Sequence, residues 1–419
     1  MGLNFNSFTD QHNSFWENLI TDSQDLEQPL HYKKTFKNPV LTMEEIKSVF
    51  MGMGNDNSKN KTSLVRVYID GLQSHEYQQK VSKLPPKLSE SLEEWAYRIF
   101  EKNRFCIVVN GANRWSEALS IKIGKFITPL LKRYPIPQIS IDVTVIIGNY
   151  IYTPFGIHID PPNLRTLHLH LGPGKKEFIL WDKESFQSLT GSEDSYYQPE
   201  QISGYRYLFE VSAQDTFLIP AKYYHVCKNG DFSVGVGLTL VKNTKEKLFL
   251  DAFTKDGLKD LAVHIKECDT GNFFSPELIQ YQNISSEILP NVIFEPWLEK
   301  SIKNYIYKQD SNLGLRSCPL ECSIPFTHFN QLKRRKVRLC YPYKIVTYPQ
   351  EEMINIFVRQ NHLQMKNITI IQELINFINE GQVIKISTLI QKYSNFTTED
   401  TLLGILILFI RFRGIEIIM

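Results

Sequence analysis

The sequence predicts an α+β protein in which short antiparallel strands close into a barrel or sandwich, helices flank that core, and a second, largely helical unit follows at the C-terminal end. Three observations predict this. Between residues 140 and 241 the chain runs in short stretches, 140–148, 164–171, 177–182, 205–211, 215–219 and 233–241, separated by Gly, Pro and Asp, the spacing of an antiparallel core rather than of strands alternating with helices. Upstream, Leu92, Trp95, Ala96, Ile99 and Phe100 fall on one helical face behind the capping pair Ser91 and Glu94. Beyond Val241 the composition turns helical.

Taken in order, residues 1–85 form a polar N-terminal extension with short elements, and the run Met51–Lys61, rich in Gly, Asn and Lys, reads as a mobile loop. A core unit spans 86–245. Its second helix is expected from Trp115 to about Tyr134, kinked or ended near Pro129, between the apolar runs Phe105–Val109 and Ser140–Ile147. Thr166, His168 and His170 alternate with Leu167, Leu169 and Leu171, so one face of that strand is polar and the barrel interior is polar on one side. A helical segment follows over 246–330, with helices near 246–267 and 292–308. The last unit, 331–419, begins in the basic, irregular stretch Lys333–Lys336. It continues as a helix over Thr369–Glu380, a turn at Gly381, helices opening at Ser387 and Thr398, and a strand over Gly414–Met419. That is the element order of a winged helix.

Composition excludes several classes of function. With 419 residues, 42% hydrophobic and 22% charged, the chain has apolar material for one core and for more than one, so disorder is not its main state. Forty-seven basic residues against 45 acidic ones give no global field for a polyanion. The longest apolar run, Leu402–Ile410, falls short of the roughly 20 residues that span a bilayer. The opening residues show neither a secretory pattern nor a myristoylation pattern, and the expectation is a cytoplasmic protein without a membrane partner. The six cysteines are too sparse for a disulfide framework. Cys318, Cys322, His328 and Cys340 could in principle surround zinc, but their spacing matches no common zinc pattern well, and the three cysteines are read as ordinary thiols.

The chemistry-bearing stretch is Tyr152–Pro162. His158 and Asp160, two residues apart at the edge of a strand, project to one side and can meet one metal ion. His225, after the apolar strand and Pro turn of Phe217–Pro220, supplies a third ligand. Two histidines and one carboxylate on one face of an ion leave positions open for a bidentate oxoacid and for dioxygen. Lys175 and Lys176, just past the Gly172-Pro173-Gly174 turn, are placed to reach the distal carboxylate of such an acid, and Tyr152 and Thr153 stand near as hydroxyl donors.

The runs GIHIDPPNLRTLHLHLGPGKKEFILW, FLIPAKYYHV and SVGVGLTLV resemble the JmjC-type cupin oxygenases that depend on Fe(II) and 2-oxoglutarate. The resemblance covers roughly residues 100–245. It implies a double-stranded β-helix (cupin, or jelly-roll) core and O2 as second cosubstrate, with His158, Asp160 and His225 as iron ligands and hence the catalytic centre. It also implies Lys176, or else Lys175, as the partner of the 2-oxoglutarate C5 carboxylate. Thr166, His168 and His170 occupy the strand on which the family often carries an inward-pointing Asn or Gln. Thr166 is read with the cofactor contacts, and His168 and His170 as satisfied interior groups or as lining of a substrate pocket. A jumonji core followed by a helical segment and a winged-helix-like domain is similar to the ribosomal-oxygenase branch, which implies hydroxylation of a side chain in a protein or peptide and a homodimer formed through the helical segment.

The C-terminal unit is not expected to bind DNA. Its last helix, Leu402–Ile410, is apolar nearly all round, whereas a groove-reading helix exposes Arg, Lys, Asn or Gln. Two alternatives stand beside the protein hydroxylase: the same chemistry on a ribosomally made natural-product precursor peptide, and a metal-binding cupin without oxygenase activity.

Overall fold

The structure is a computed structural model and describes residues 5–58, 61–258, 294–323, 329–367 and 369–418. Its centre is built of two facing antiparallel sheets. The strands are β1 (Leu30–Tyr32), β2 (Val65–Ile69), β3 (Leu72–Gln73), β4 (Phe105–Val109), β5 (Ile139–Gly148), β6 (Leu164–Pro173), β7 (Lys176–Trp181), β8 (Tyr207–Val211), β9 (Thr216–Pro220), β10 (Tyr224–Lys228) and β11 (Ser233–Lys242). The larger sheet has the order β1-β9-β6-β11-β5-β4-β2-β3 and the smaller β10-β7-β8. Phe178 of the smaller sheet packs on Phe217 at 4.7 Å and on His168 at 5.0 Å, both of the larger sheet. The strands expected from 140 to 241 are all present, and β10 is added to them. This is the antiparallel barrel or sandwich of the sequence reading.

Alternation on β5 explains why the larger sheet has a dry side. Ile141, Val143, Val145 and Ile147 are fully buried, while Asp142, Thr144 and Ile146 on the opposite face are half-buried. The dry side joins one large core with Leu119, Ile123, Phe126, Ile127 and Leu130 of the helix Glu117–Arg133. That helix continues through Pro129 for one more turn instead of ending there.

The N-terminal extension differs from its expectation. The helix Met43–Gly54 takes in the first four residues of the stretch read as a loop, because Ile46, Val49, Phe50 and Met53 repeat at helical spacing and enter the same core. Gly52 is there for close approach: a Cβ on it would lie 2.0 Å from the Trp115 carbonyl oxygen. β1, β2 and β3 extend the larger sheet at both edges, so the first 85 residues are part of the barrel's framework.

The helix Lys245–Ala252 stands at the start of the helix expected over 246–267, whose residues 259–267 lie outside the described residues, and the helix Phe294–Ser311 matches the one expected near 292–308. Residues 259–293 and 324–328, with much of the segment expected to mediate dimerisation, Cys268 and His328, lie outside the described residues. Helices Thr369–Asn379, Ile386–Tyr393 and Glu399–Arg411 and the closing strand Ile415–Ile418 stand where the sequence put them. Leu402, Leu403, Ile405, Leu406, Phe409 and Ile410 of the last helix are buried in a second core. The meander Val346–Gln350, Met353–Val358 and Asn361–Lys366 was not foreseen. Its turn carries Arg359, 1% exposed, which donates to Glu117 at 3.0 Å and Ser120 at 2.7 Å and lies over the Tyr343 ring, joining this unit to the helix behind the barrel. No helix among the described residues is long and apolar enough to cross a membrane.

Candidate metal centre

After β5 the chain turns back and pairs with β10, and that pairing assembles the site. Thr153 N–H donates to the Cys227 carbonyl at 2.8 Å. Five residues on, His158 and His225 exchange both backbone hydrogen bonds, His158 N–H to His225 O at 3.1 Å and His225 N–H to His158 O at 2.8 Å. Two residues 67 apart in sequence are thereby held as direct cross-strand neighbours, with ring centroids 4.4 Å apart.

Both imidazoles are oriented by their own backbone. His158 Nδ1 lies 3.1 Å from the Gly156 carbonyl and His225 Nδ1 3.2 Å from the Tyr223 carbonyl. A carbonyl accepts only, so each Nδ1 carries the proton and each Nε2 presents a lone pair. Asp160 Oδ1 stands 3.9 Å from His158 Nε2, and one ligand atom from each of the three residues falls within 4.8 Å of the others. Burial, and then the neighbouring His158, push the His225 pKa down to about 4, which keeps it neutral and ligating at neutral pH. Two oriented neutral imidazoles and one carboxylate on a single side fit a divalent first-row ion with open positions opposite.

The triad lines a cavity of about 200 Å³ together with Lys176, Thr153, Thr166 and His168. Lys176 is 1% exposed and has no acidic partner within 4.0 Å among the described residues. Burial lowers its pKa from the ordinary lysine value. Lys175 is on the other side of the strand: its side chain is exposed and paired with Glu210 at 2.6 Å, so it does not line the cavity. Tyr152 also stands outside, in an adjoining cleft of about 620 Å³ that shares Tyr150 and Thr153 with the cavity. Thr166 bonds Thr239 at 3.2 Å. His170, two residues from His168, instead holds the Gly174 carbonyl through Nε2 at 2.7 Å and lines a separate pocket.

Sequence reasoning passed over Arg66 and Tyr150, which also line the cavity. Arg66 comes from β2 in the extension; its guanidinium lies 5.1 Å over the Phe155 ring and its buried Nε has no hydrogen-bond partner. The alternation in Val65-Arg66-Val67, an arginine on the polar face of a strand, was the available signal. Among the described residues the cysteines gather no metal site: Cys318 Sγ donates to the Arg359 carbonyl at 3.1 Å and Cys340 Sγ to Glu117 at 3.0 Å.

No protein-family model matches the chain, and no curated protein matches it. Among solved structures it is similar to that of YcfD from Escherichia coli, with 14% identity, 96% of this chain and 98% of that chain covered, and a TM-score of 0.49. A structure of YcfD, a ribosomal oxygenase from Escherichia coli, in complex with cobalt and 2-oxoglutarate gives 13% identity, 96% and 98% coverage and a TM-score of 0.49. The coconut allergen cocosin gives 8% identity over 27% of this chain and 24% of that chain, with a TM-score of 0.17.

Proposed function

We propose that the protein is an Fe(II)- and 2-oxoglutarate-dependent dioxygenase that hydroxylates a side chain of a protein or peptide. The observation that carries the reading is the conjunction in one cavity of three side chains able to hold a metal ion, two of them with Nδ1 fixed on a backbone carbonyl, and a buried lysine that has no acidic partner among the described residues. His158, Asp160 and His225 would hold the iron, and Lys176 would pair with the C5 carboxylate of the cosubstrate, a compact cation meeting an anion away from water. Fe(II), when bound, supplies the activation of dioxygen that couples decarboxylation of 2-oxoglutarate to succinate with insertion of one oxygen atom into a C–H bond.

The chain's own part is placement and exclusion of water. Half-buried His158 and Asp160 face the cavity mouth while His225 closes its floor at 7% exposure. A cavity of about 200 Å³ is small for a ligand site, which suits a cosubstrate and one inserted side chain. The polypeptide that carries the side chain would lie in the adjoining cleft, whose walls include Tyr68, Tyr152 and Tyr197. We assign the homodimer to the segment after β11, on the resemblance alone.

Anaerobic addition of Fe(II) and then 2-oxoglutarate to the purified protein tests this. The expected result is the weak visible charge-transfer band of a chelated 2-oxo acid, absent in Asp160→Ala, with slow succinate formation once air is admitted. Iron binding without the band would overturn the oxygenase reading in favour of a metal-binding cupin, and the absence of iron binding would overturn the metal site as well.

A further inference from the structure

Arg66 and Lys176 line the metal cavity, and among the described residues Asp160 is the one acidic side chain that lines it with them. Burial keeps His168 neutral there and keeps Tyr150 and Cys227 protonated. A divalent ion and a 2-oxo dicarboxylate cancel each other's charge and Asp160 offsets Lys176, so one positive charge stays unmatched, on Arg66. The guanidinium has no acidic or hydrogen-bonding partner among the described residues. Of its nitrogens Nε alone is closed off from solvent, which leaves the two terminal ones open to the cavity that the side chain lines. Its Cζ lies 5.1 Å over the Phe155 ring. Phe155 in turn meets the metal ligand His158 at 5.9 Å and Tyr68 at 6.0 Å, both nearly at right angles. Tyr68 is two residues along β2 from Arg66, on the same side of the strand, and lines the adjoining cleft. Arg66 therefore stands where a side chain passes from the cleft toward the metal ligands.

We infer that Arg66 is a specificity-determining residue which pairs with a carboxylate of the substrate, so that the side chain admitted to the metal is that of an aspartate or glutamate. The inference rests on the dioxygenase reading above. A guanidinium offers a carboxylate two parallel N–H donors, and in a half-buried site the pair removes the one unmatched charge. An asparagine or glutamine side chain leaves that charge in place, and a lysine or arginine adds a second cation beside it. Arg104, which lines the cleft, is not free for this part, since its Nη1 donates to the Asn149 and Gly230 carbonyls at 2.9 and 3.3 Å. Asp70 and Glu200 line the cleft but not the cavity, so they meet the flanking polypeptide and not the inserted side chain.

The test adds capped pentapeptides, four glycines around a central Asp, Glu, Asn, Gln or Arg, to the anaerobic protein loaded with Fe(II) and 2-oxoglutarate, and reads binding by calorimetry and by the shift of the visible band. The Asp or the Glu peptide is expected to bind at least tenfold more tightly than its amide counterpart, and the Arg peptide most weakly of all. Arg66→Gln should bring the acid-to-amide ratio within twofold while Fe(II) and 2-oxoglutarate affinities stay within twofold. Arg66→Lys should keep most of the preference, and Arg66→Glu should reverse it in favour of the Arg peptide. Acidic peptides that bind no better than their amides, no binding by any peptide included, or a preference that survives Arg66→Gln, would overturn the inference. So would a tenfold loss of 2-oxoglutarate affinity in Arg66→Gln, which would give Arg66 to the cosubstrate. If the wild-type protein binds Fe(II) and chelates no 2-oxoglutarate, the dioxygenase reading itself fails before any peptide is added.

Discussion

Gly235→Ala should destabilise the protein by an amount that depends on whether His168 is present. Alanine normally suits the interior of a strand better than glycine, by about 0.5–1 kcal/mol. At Gly235 the new Cβ would meet His168 Cε1 at 2.1 Å and Nε2 at 2.7 Å, far inside van der Waals contact, so the imidazole must move by more than about 1 Å. Movement toward Phe178 is resisted: Phe178 backs it at 5.0 Å, Phe217 backs Phe178 at 4.7 Å, and Phe209 backs Phe217 at 4.8 Å. Overpacking of this kind costs about 2–3 kcal/mol. In a His168→Ala background the obstruction is gone, and the same Gly235→Ala change should be neutral or stabilising by about 0.5 kcal/mol. The coupling across the cycle is then about 2–3 kcal/mol in size. Urea midpoints of the four proteins at constant m-value measure it. An equal cost of Gly235→Ala in both backgrounds would show that the ring is not held against this glycine.

Two further outcomes follow from the same cavity. Lys176→Met, which replaces a buried cation without an acidic partner among the described residues by an apolar chain of similar length, should raise the stability of the metal-free protein by about 1 kcal/mol, seen as a higher Tm, while abolishing 2-oxoglutarate binding; a lower Tm would mean that the contact of the ammonium with the Tyr150 ring, 5.7 Å from its centroid, matters more than its burial. Acid should weaken the metal-free protein before its carboxylates titrate. His170 and His225 have folded-state pKa values of about 4 against about 6.5 unfolded, so between these values the unfolded chain binds more protons and stability falls as pH falls. Neither histidine costs the fold anything at neutral pH, where it is neutral in both states, and each then destabilises the folded state by up to about 3 kcal/mol as pH falls from about 6.5 to about 4. His170→Gln should flatten the dependence of the urea midpoint on pH between 6.5 and 5, and a midpoint already flat there in the wild type would refute the assignment.

The barrel strands and the triad were legible because their signals are local. Alternation over Leu164–Leu171, punctuation by Gly172-Pro173-Gly174, and two ligands spaced by one residue all lie within a single window of sequence. What was missed depends on partners far away. The stretch around Met51-Gly52-Met53-Gly54 resembles a loop until Gly52 is seen against the Trp115 carbonyl, and the three residues of β1 are a strand only because Leu30 pairs with Leu218 at a sheet edge. Arg66 reaches the cavity because β2 pairs with β4, and β4 with β5. A chain of pairings, not a motif, brings it there.

His168 and His170 mark the limit of what sequence can assign. They stand on the same strand and the same face, two residues apart, and residue type gives them one reading. Packing separates them: His170 Nε2 meets a carbonyl at the turn into β7 and its ring lines a separate pocket, while His168 packs against Gly235 and lines the cavity of the metal ligands. Arg66, whose buried Nε has no hydrogen-bond partner among the described residues, lines the same cavity, and so does a lysine with no acidic partner among them. In a barrel whose other face is fully apolar, these groups could be replaced by carbon at little cost or with gain to the fold. Their presence around three oriented metal ligands puts a stability cost where a ligand would relieve it, and that argument supports the proposed site without reference to any relative.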